Sequence, residues 1–197
     1  MPNISIINNK SVSVWHGNDD IIYLLEREEM TIPIKERFDL NLANGLDIGC
    51  GKRKSMPTAI GIDYVRGFNI KEKTNKMSFT IPDVICDGQD LIFKDNTIDW
   101  ITSSHNIEHY TEPVAVLNEW LRVLKKDGII SLIVPLAEYT GRIGEPNTDL
   151  DHKHDYSVES FKTNVIDKLE GIELLRLKNL KNHLGMGWSF AVVIKKK

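Results

Sequence analysis

Three groups of residues in this chain could do chemistry. The first is Gly45-Leu-Asp-Ile-Gly-Cys-Gly51, with Gly61-Ile-Asp63 soon after it. An apolar strand runs into a glycine-rich turn, and a second short apolar run ends in a carboxylate. Glycine lets the backbone turn sharply and approach a ligand, because no Cβ stands in the way. A carboxylate at the end of the next parallel strand can accept two hydrogen bonds from a ribose diol. The second group is His105-Asn-Ile-Glu-His109, and the third is Asp149-Leu-Asp-His-Lys-His-Asp-Tyr156. Imidazole ordinarily titrates closest to neutrality, which suits it to moving a proton.

The glycine pattern also excludes. A dinucleotide fold wants G-x-G-x-x-G opening a long helix whose N-terminus faces the pyrophosphate. Here Lys-Arg-Lys-Ser-Met-Pro57 follows Gly51, with no third glycine, and Pro57 disfavours a helical Met56. No G-x-x-x-x-G-K-[ST] occurs, which removes P-loop nucleotidases. The expected ligand is a nucleoside without a diphosphate, a description that S-adenosylmethionine (SAM) fits.

The elements that must position these groups read as strand and crossover from Gly45 onward. Strands are predicted over Leu46–Gly49, Ala59–Tyr64, Asp83–Cys86 and Ile98–Ser103. Thr111 is the expected cap of a helix that admits Pro113 in its first turn. Val114, Leu117, Leu121 and Leu124 form one apolar stripe, Lys125-Lys126 sit at the helix end, and Asp127-Gly128 stops it. Ile129–Val134 reads as a central strand buried on both faces. A long polar connection follows to Asp155, of the kind that often forms a lid. Ser157 caps a helix expected to run to Lys168, and Ile172–Leu180 and Trp188–Ile194 read as an antiparallel pair at the sheet edge. Residues 1–40 are expected to be a separate appendage. It would comprise a hairpin around Asn8-Asn9-Lys10 and a helix capped by Asn18-Asp19-Asp20 and closed by Pro33, lying over the substrate side. The remainder, 41–197, is one catalytic domain.

The chain has 197 residues, 41% hydrophobic and 27% charged, with a net charge of −3. That suits one globular domain and gives no electrostatic case for nucleic acid. No long apolar run or signal-peptide pattern predicts membrane insertion or export. Cys50 and Cys86 make neither a disulfide framework nor a thiolate metal site, so a reducing cytoplasm is the expected compartment. The lysines at 195–197 read as a solvated tail.

Three stretches carry a resemblance to a known family. They are Leu46-Asp-Ile-Gly-Cys-Gly51 with Gly61-Ile-Asp63; Val84-Ile-Cys-Asp87 with Phe93-Lys-Asp-Asn-Thr-Ile-Asp-Trp100; and Ser103-Ser-His-Asn-Ile-Glu-His109 through Leu121-Arg-Val-Leu-Lys-Lys-Asp-Gly128. The chain resembles a small class I SAM-dependent methyltransferase. The shortened segment after Gly51 is similar to a subgroup often associated with modification of surface glycans. The resemblance implies an α/β, Rossmann-like, seven-stranded, mostly parallel sheet with an antiparallel last strand and helices on both faces. It implies that Asp47, Gly49 and Gly51 lie along the methionine part of SAM. Asp63 would hold the ribose, with Ile62 and Tyr64 near the adenine, Asp87 accepting from the adenine amino group and Gly88 beside it. Ser104 and His105 would lie near the sulfonium. Arg53 departs from the pattern, since many members carry a third glycine there.

The histidines admit more than one reading. His105-x-x-Glu108-His109 is also the spacing of some zinc peptidases, which makes a zinc hydrolase the alternative, with a third ligand from Asp151, His152 or His154. The methyltransferase resemblance explains the same residues without metal, so none is expected. A non-catalytic SAM-binding module is a further alternative. On the methyltransferase reading, His105, His152 and His154 face the acceptor as bases or orienting groups, and His109 is structural. The acceptor is a small molecule or a glycan, with a sugar hydroxyl suggested by the subgroup alone.

Overall fold

The structure is a computed structural model. It describes residues 15–65, 67–71, 76–145, 151–180 and 188–197. The hairpin expected around Asn8-Asn9-Lys10 lies outside the described residues.

The described chain begins with α1 (Trp15–Lys35). The strands follow as β1 (Gly45–Ile48), β2 (Ile60–Asp63), β3 (Gly67–Lys71), β4 (Lys76–Thr80), β5 (Val84–Ile85), β6 (Ile98–Ser104), β7 (Leu124–Pro135), β8 (Ile172–Leu180) and β9 (Ser189–Lys196). The remaining helices are α2 (Pro113–Val123), α3 (Ala137–Thr140) and α4 (Val158–Asn164). A seven-stranded sheet runs in the order β5-β2-β1-β6-β7-β9-β8. Strands β5 to β7 pair in parallel, and β9 is antiparallel to both its neighbours. This is a Rossmann-like methyltransferase fold, as the resemblance implied. Beside it lies an antiparallel pair, β3-β4, that the sequence reading did not foresee.

Side-chain alternation sorts the core onto two faces. Ile130, Leu132 and Val134 of β7, with Phe190, Val192 and Ile194 of β9, meet α2 and α4. Ile129 and Val193 join Ile34 of α1, and Ile133 and Ala191 join Met30. Helices therefore cover both faces. Gly45 is required because Trp100 occupies the space its Cβ would enter, with ring atoms 2.0 Å away.

Several local expectations are corrected. Helix α1 starts before Asn18-Asp19-Asp20 and carries Pro33 within it, so neither feature bounds it. Proline in the last turn removes one donor, and burial of Ile34 at 0% exposure holds that turn against the sheet. Within the segment read as the 1–40 appendage, the helix packs against the sheet through Met30 and Ile34. Glu112, not Thr111, precedes α2, without a side-chain cap. That helix ends at Val123, and Lys125-Lys126 already belong to β7. Lys196 is no solvated tail: its Nζ donates to the carbonyls of Leu121 and Leu124, both at 2.7 Å, and so satisfies the end of α2. Ser157 caps α4 in a reciprocal capping box with Ser160, but the helix stops at Asn164 and a short 3₁₀ turn, Ile166–Lys168, completes the segment.

Candidate functional site

The carboxyl ends of β1, β2, β5 and β6 converge on one edge of the sheet, where open α/β sheets bind ligands. After β1 the chain turns through Gly49 (φ 72°) and Gly51 (φ 56°), a conformation that favours glycine. The turn is pinned from below. Gly49 and Cys50 N–H groups donate to the Ile62 carbonyl at 2.9 and 3.1 Å. The Gly51 N–H donates to Asp63 Oδ2 at 3.1 Å. A Cβ on Gly51 would point into open space, the property expected of a backbone that a ligand can approach.

Gly49 has a different reason. Its Cβ would meet the Asn106 side chain at 2.6 Å, and Asn106 Nδ2 donates to Ser103 Oγ at 3.2 Å. The glycine lets the turn after β6 nest under the turn after β1. Gly49→Ala is expected to destabilise the fold by about 1–3 kcal/mol in chemical denaturation, through the strained φ and a displaced Asn106. An unchanged midpoint would show that the two turns do not interlock.

Asp47 is buried and turned into the protein. It accepts from Ser55 N–H at 2.5 Å and from Thr102 Oγ1 at 3.3 Å, while Ser55 and Thr102 hydroxyls meet at 2.8 Å. Burial lifts its carboxyl pKa to about 6 against those hydrogen bonds. Asp47 thus ties down the segment after the glycines, and Arg27 of α1 donates to the Ser55 carbonyl at 2.5 Å from the other side. Desolvation also raises the carboxyl of Asp63. Asp87, exposed after β5, accepts from Gln89 N–H at 2.9 Å. Gly88 lies buried beneath Tyr110, whose hydroxyl stands 2.3 Å from where a Cβ would be. Tyr64 is 66% exposed beside Asp63, whereas the Ile62 side chain is wholly buried in the core and can meet a ligand only through its backbone. Ser104 is half-buried at the end of β6.

The histidines divide. His105 sits at positive φ (49°), so His105–His109 is not one helix and the two rings do not share a face. His105 Nε2 lies 3.1 Å from Glu26 of α1 and 3.2 Å from Ser189 Oγ. Desolvation lowers the His105 pKa, but the hydrogen bond and charge of Glu26, with Glu108 further away, outweigh it and bring the group up to about 9. It is therefore a cation near neutrality, not a ready base. The folded pKa stands above the ordinary 6.5, so the stabilisation is full below that value and is lost as pH rises through about 9. The melting-temperature gap between wild type and Glu26→Gln is expected to be open at pH 6 and to close towards pH 10. A gap that is flat across this range would refute the ion pair.

His154 Nε2 lies 3.1 Å from the Thr111 carbonyl. A carbonyl only accepts, so Nε2 carries the proton and, in the neutral ring, Nδ1 keeps the lone pair. The same ring stacks on Tyr156 at 5.4 Å. His152 lies edge-on to His109 at 4.9 Å, beside buried Glu108. The supporting residues that sequence reasoning missed are Glu26, Arg27, Ser55, Thr102, Asn106 and Ser189. Each of them has a partner far away in the chain, and no local pattern marks them.

Residues 46–132 match the family described as "Methyltransferase domain". A putative SAM-dependent methyltransferase from Listeria monocytogenes is similar in structure, with TM-score 0.62 and 14% identity, covering 89% of this chain and 99% of that one. A SAM-dependent methyltransferase from Aquifex aeolicus is similar with TM-score 0.52 and 19% identity, covering 90% and 98%. An uncharacterised protein of Methanocaldococcus jannaschii is 27% identical over 171 residues, 85% of this chain and 77% of the relative. The chain thus shares its fold with SAM-dependent methyltransferases, and residues 46–132 match a methyltransferase domain. Among the described residues, no helix is long and apolar enough to cross a membrane.

Proposed function

We propose that the protein transfers the methyl group of SAM to a hydroxyl of a small molecule or glycan, with a sugar hydroxyl of a surface polysaccharide or its precursor as the acceptor class. In this reading Gly51 gives the methionine part of SAM close approach to backbone, and Asp63 accepts from the ribose diol. Asp87 and Gly88 hold the adenine, with Tyr64 against its face, and Ser104 lies near the sulfonium. Asp47, Gly49 and Ile62 shape that surface from beneath. The two cysteines are buried and free, which is consistent with a reducing cytoplasm.

The cofactor carries the reactivity, and the protein supplies orientation and a route for the proton. The observation that supports a hydroxyl acceptor is the His154 tautomer: a neutral imidazole whose Nε2–H is held by Thr111 keeps a lone pair on Nδ1 and can take a proton, which an alcohol must lose. His105, paired to Glu26, contributes positive charge and fixes the turn after β6. His152 positions the acceptor beside Glu108. The test is transfer of labelled methyl from SAM to a panel of sugars, nucleotide sugars and small alcohols and amines. Turnover confined to amines would overturn the hydroxyl assignment. Tight S-adenosylhomocysteine binding without turnover on any acceptor would favour a binding module.

A further inference from the structure

We propose that Glu108, His109 and His152 form a binding site for one divalent cation of the zinc type, whose open coordination positions take the acceptor's oxygen. The use made of the metal rests on the methyl-transfer reading; the site itself does not.

The triad is assembled by two neighbouring segments. The 3₁₀ turn Ile107–His109 follows β6 and turns Glu108 fully inward, at 0% exposure. The 151–156 segment is fastened to that turn, because Lys153 N–H donates to the Glu108 carbonyl at 2.9 Å. That brings His152 Nε2 to 3.8 Å from Glu108 Oε1, while His109 Nε2 stands 3.7 Å from the same oxygen. One ligand atom from each residue falls within 4.8 Å of the others. Ligands of a tetrahedral zinc, each about 2.0–2.1 Å from the metal, stand roughly 3.3–3.4 Å apart. Both carboxylate–imidazole spacings therefore need shifts of only tenths of an ångström. They are also longer than hydrogen bonds.

Two imidazoles and one carboxylate match a borderline cation such as zinc, whereas calcium and magnesium prefer oxygen ligands throughout. Three protein ligands leave a position for water or substrate. A separate observation points to the same place. Tyr156, in the same 151–156 segment, is 5% exposed and its hydroxyl has no hydrogen-bond partner among the described residues. A metal-bound oxygen would give this donor an acceptor. The neighbouring cation His105 is already paired with Glu26 and is not a member of the triad. It differs from the site suggested by the His105–His109 spacing, since His105 Nε2 is engaged by Glu26.

With an acceptor hydroxyl on the metal, its proton passes to His154. The oxygen–methyl bond forms as the methyl–sulfur bond breaks, and the sulfur keeps that electron pair as neutral S-adenosylhomocysteine. The metal's part is to ease loss of the proton, as it does for bound water.

The test uses the metal-free full chain, titrated with Co²⁺ by visible absorption and with Zn²⁺ by calorimetry. One equivalent of each is expected, with the Co²⁺ bands displaced by Zn²⁺. His152→Ala and His109→Ala are each expected to weaken Zn²⁺ at least about tenfold to hundredfold. His152 lies on a loop, so its variant folds even if Glu108→Gln does not, and circular dichroism checks this. No saturable Co²⁺ spectrum, or equal Zn²⁺ affinity in wild type and His152→Ala, overturns the site. S-adenosylhomocysteine binding, measured in the same preparations, should be the same in all variants. Its absence from the wild type would defeat the cofactor reading, while the metal titration would still decide the site.

Discussion

His154→Ala is expected to lower kcat by about 10²- to 10⁴-fold, the range for removing a general base. S-adenosylhomocysteine affinity should be unchanged. The expectation comes from the Thr111 carbonyl, which fixes the proton on Nε2 and leaves Nδ1 to act. His154→Gln is a useful companion, since its amide can still donate to Thr111 while offering no comparable base. It should keep the melting temperature and lose the rate. Near-normal turnover in both variants would move the proton to another group. The candidates are the carboxylates Asp151 and Asp155, although Asp155 already accepts from the Ile143 N–H at 3.0 Å.

The second large effect is expected at Asp63. Asp63→Ala is expected to remove two acceptors from the ribose, about 1–3 kcal/mol if charge-assisted, which is roughly fivefold to 150-fold in SAM affinity. It also releases the Gly51 N–H, so the loss should sit at the upper end. Calorimetry with S-adenosylhomocysteine measures it. Asp63→Asn should fall between, because one acceptor oxygen remains. Equal affinity in Asp63→Ala and wild type would remove Asp63 from the ribose role and turn it into a brace for the glycine turn alone.

These expectations start from residues that the sequence marks openly. The strand–glycine–strand–carboxylate run at 45–63 is local, and its chemistry follows from the absence of Cβ atoms and the presence of one carboxylate. The nearly continuous apolar run 129–134 likewise states a strand buried on both faces. The mostly parallel sheet with an antiparallel last strand followed from the family resemblance that those runs support, and its strand order came from the structure. Element ends were less legible. Lys125-Lys126 looks like a helix terminus but lies in β7, because pairing of Leu124 with Ile98 overrides the local charge pattern.

What only the tertiary structure decided is the division of labour among the histidines. In the sequence His105 and His109 share one motif. In the fold His105 turns to Glu26, 79 residues earlier, and His109 meets His152 from another loop. A histidine's charge and tautomer depend on the partner each ring nitrogen finds, and those partners come from distant parts of the chain. The same holds for Asp47: the resemblance implied that it lies along the methionine part of SAM, and the fold shows which partners, Ser55 and Thr102, its carboxylate accepts from. The sequence by itself determined the strands of the seven-stranded sheet, the glycine turn and the carboxylate beside it, because those depend on local sterics and periodicity. Protonation and ligand spacing required the folded chain, because Coulomb and desolvation effects act over distances that sequence order does not record.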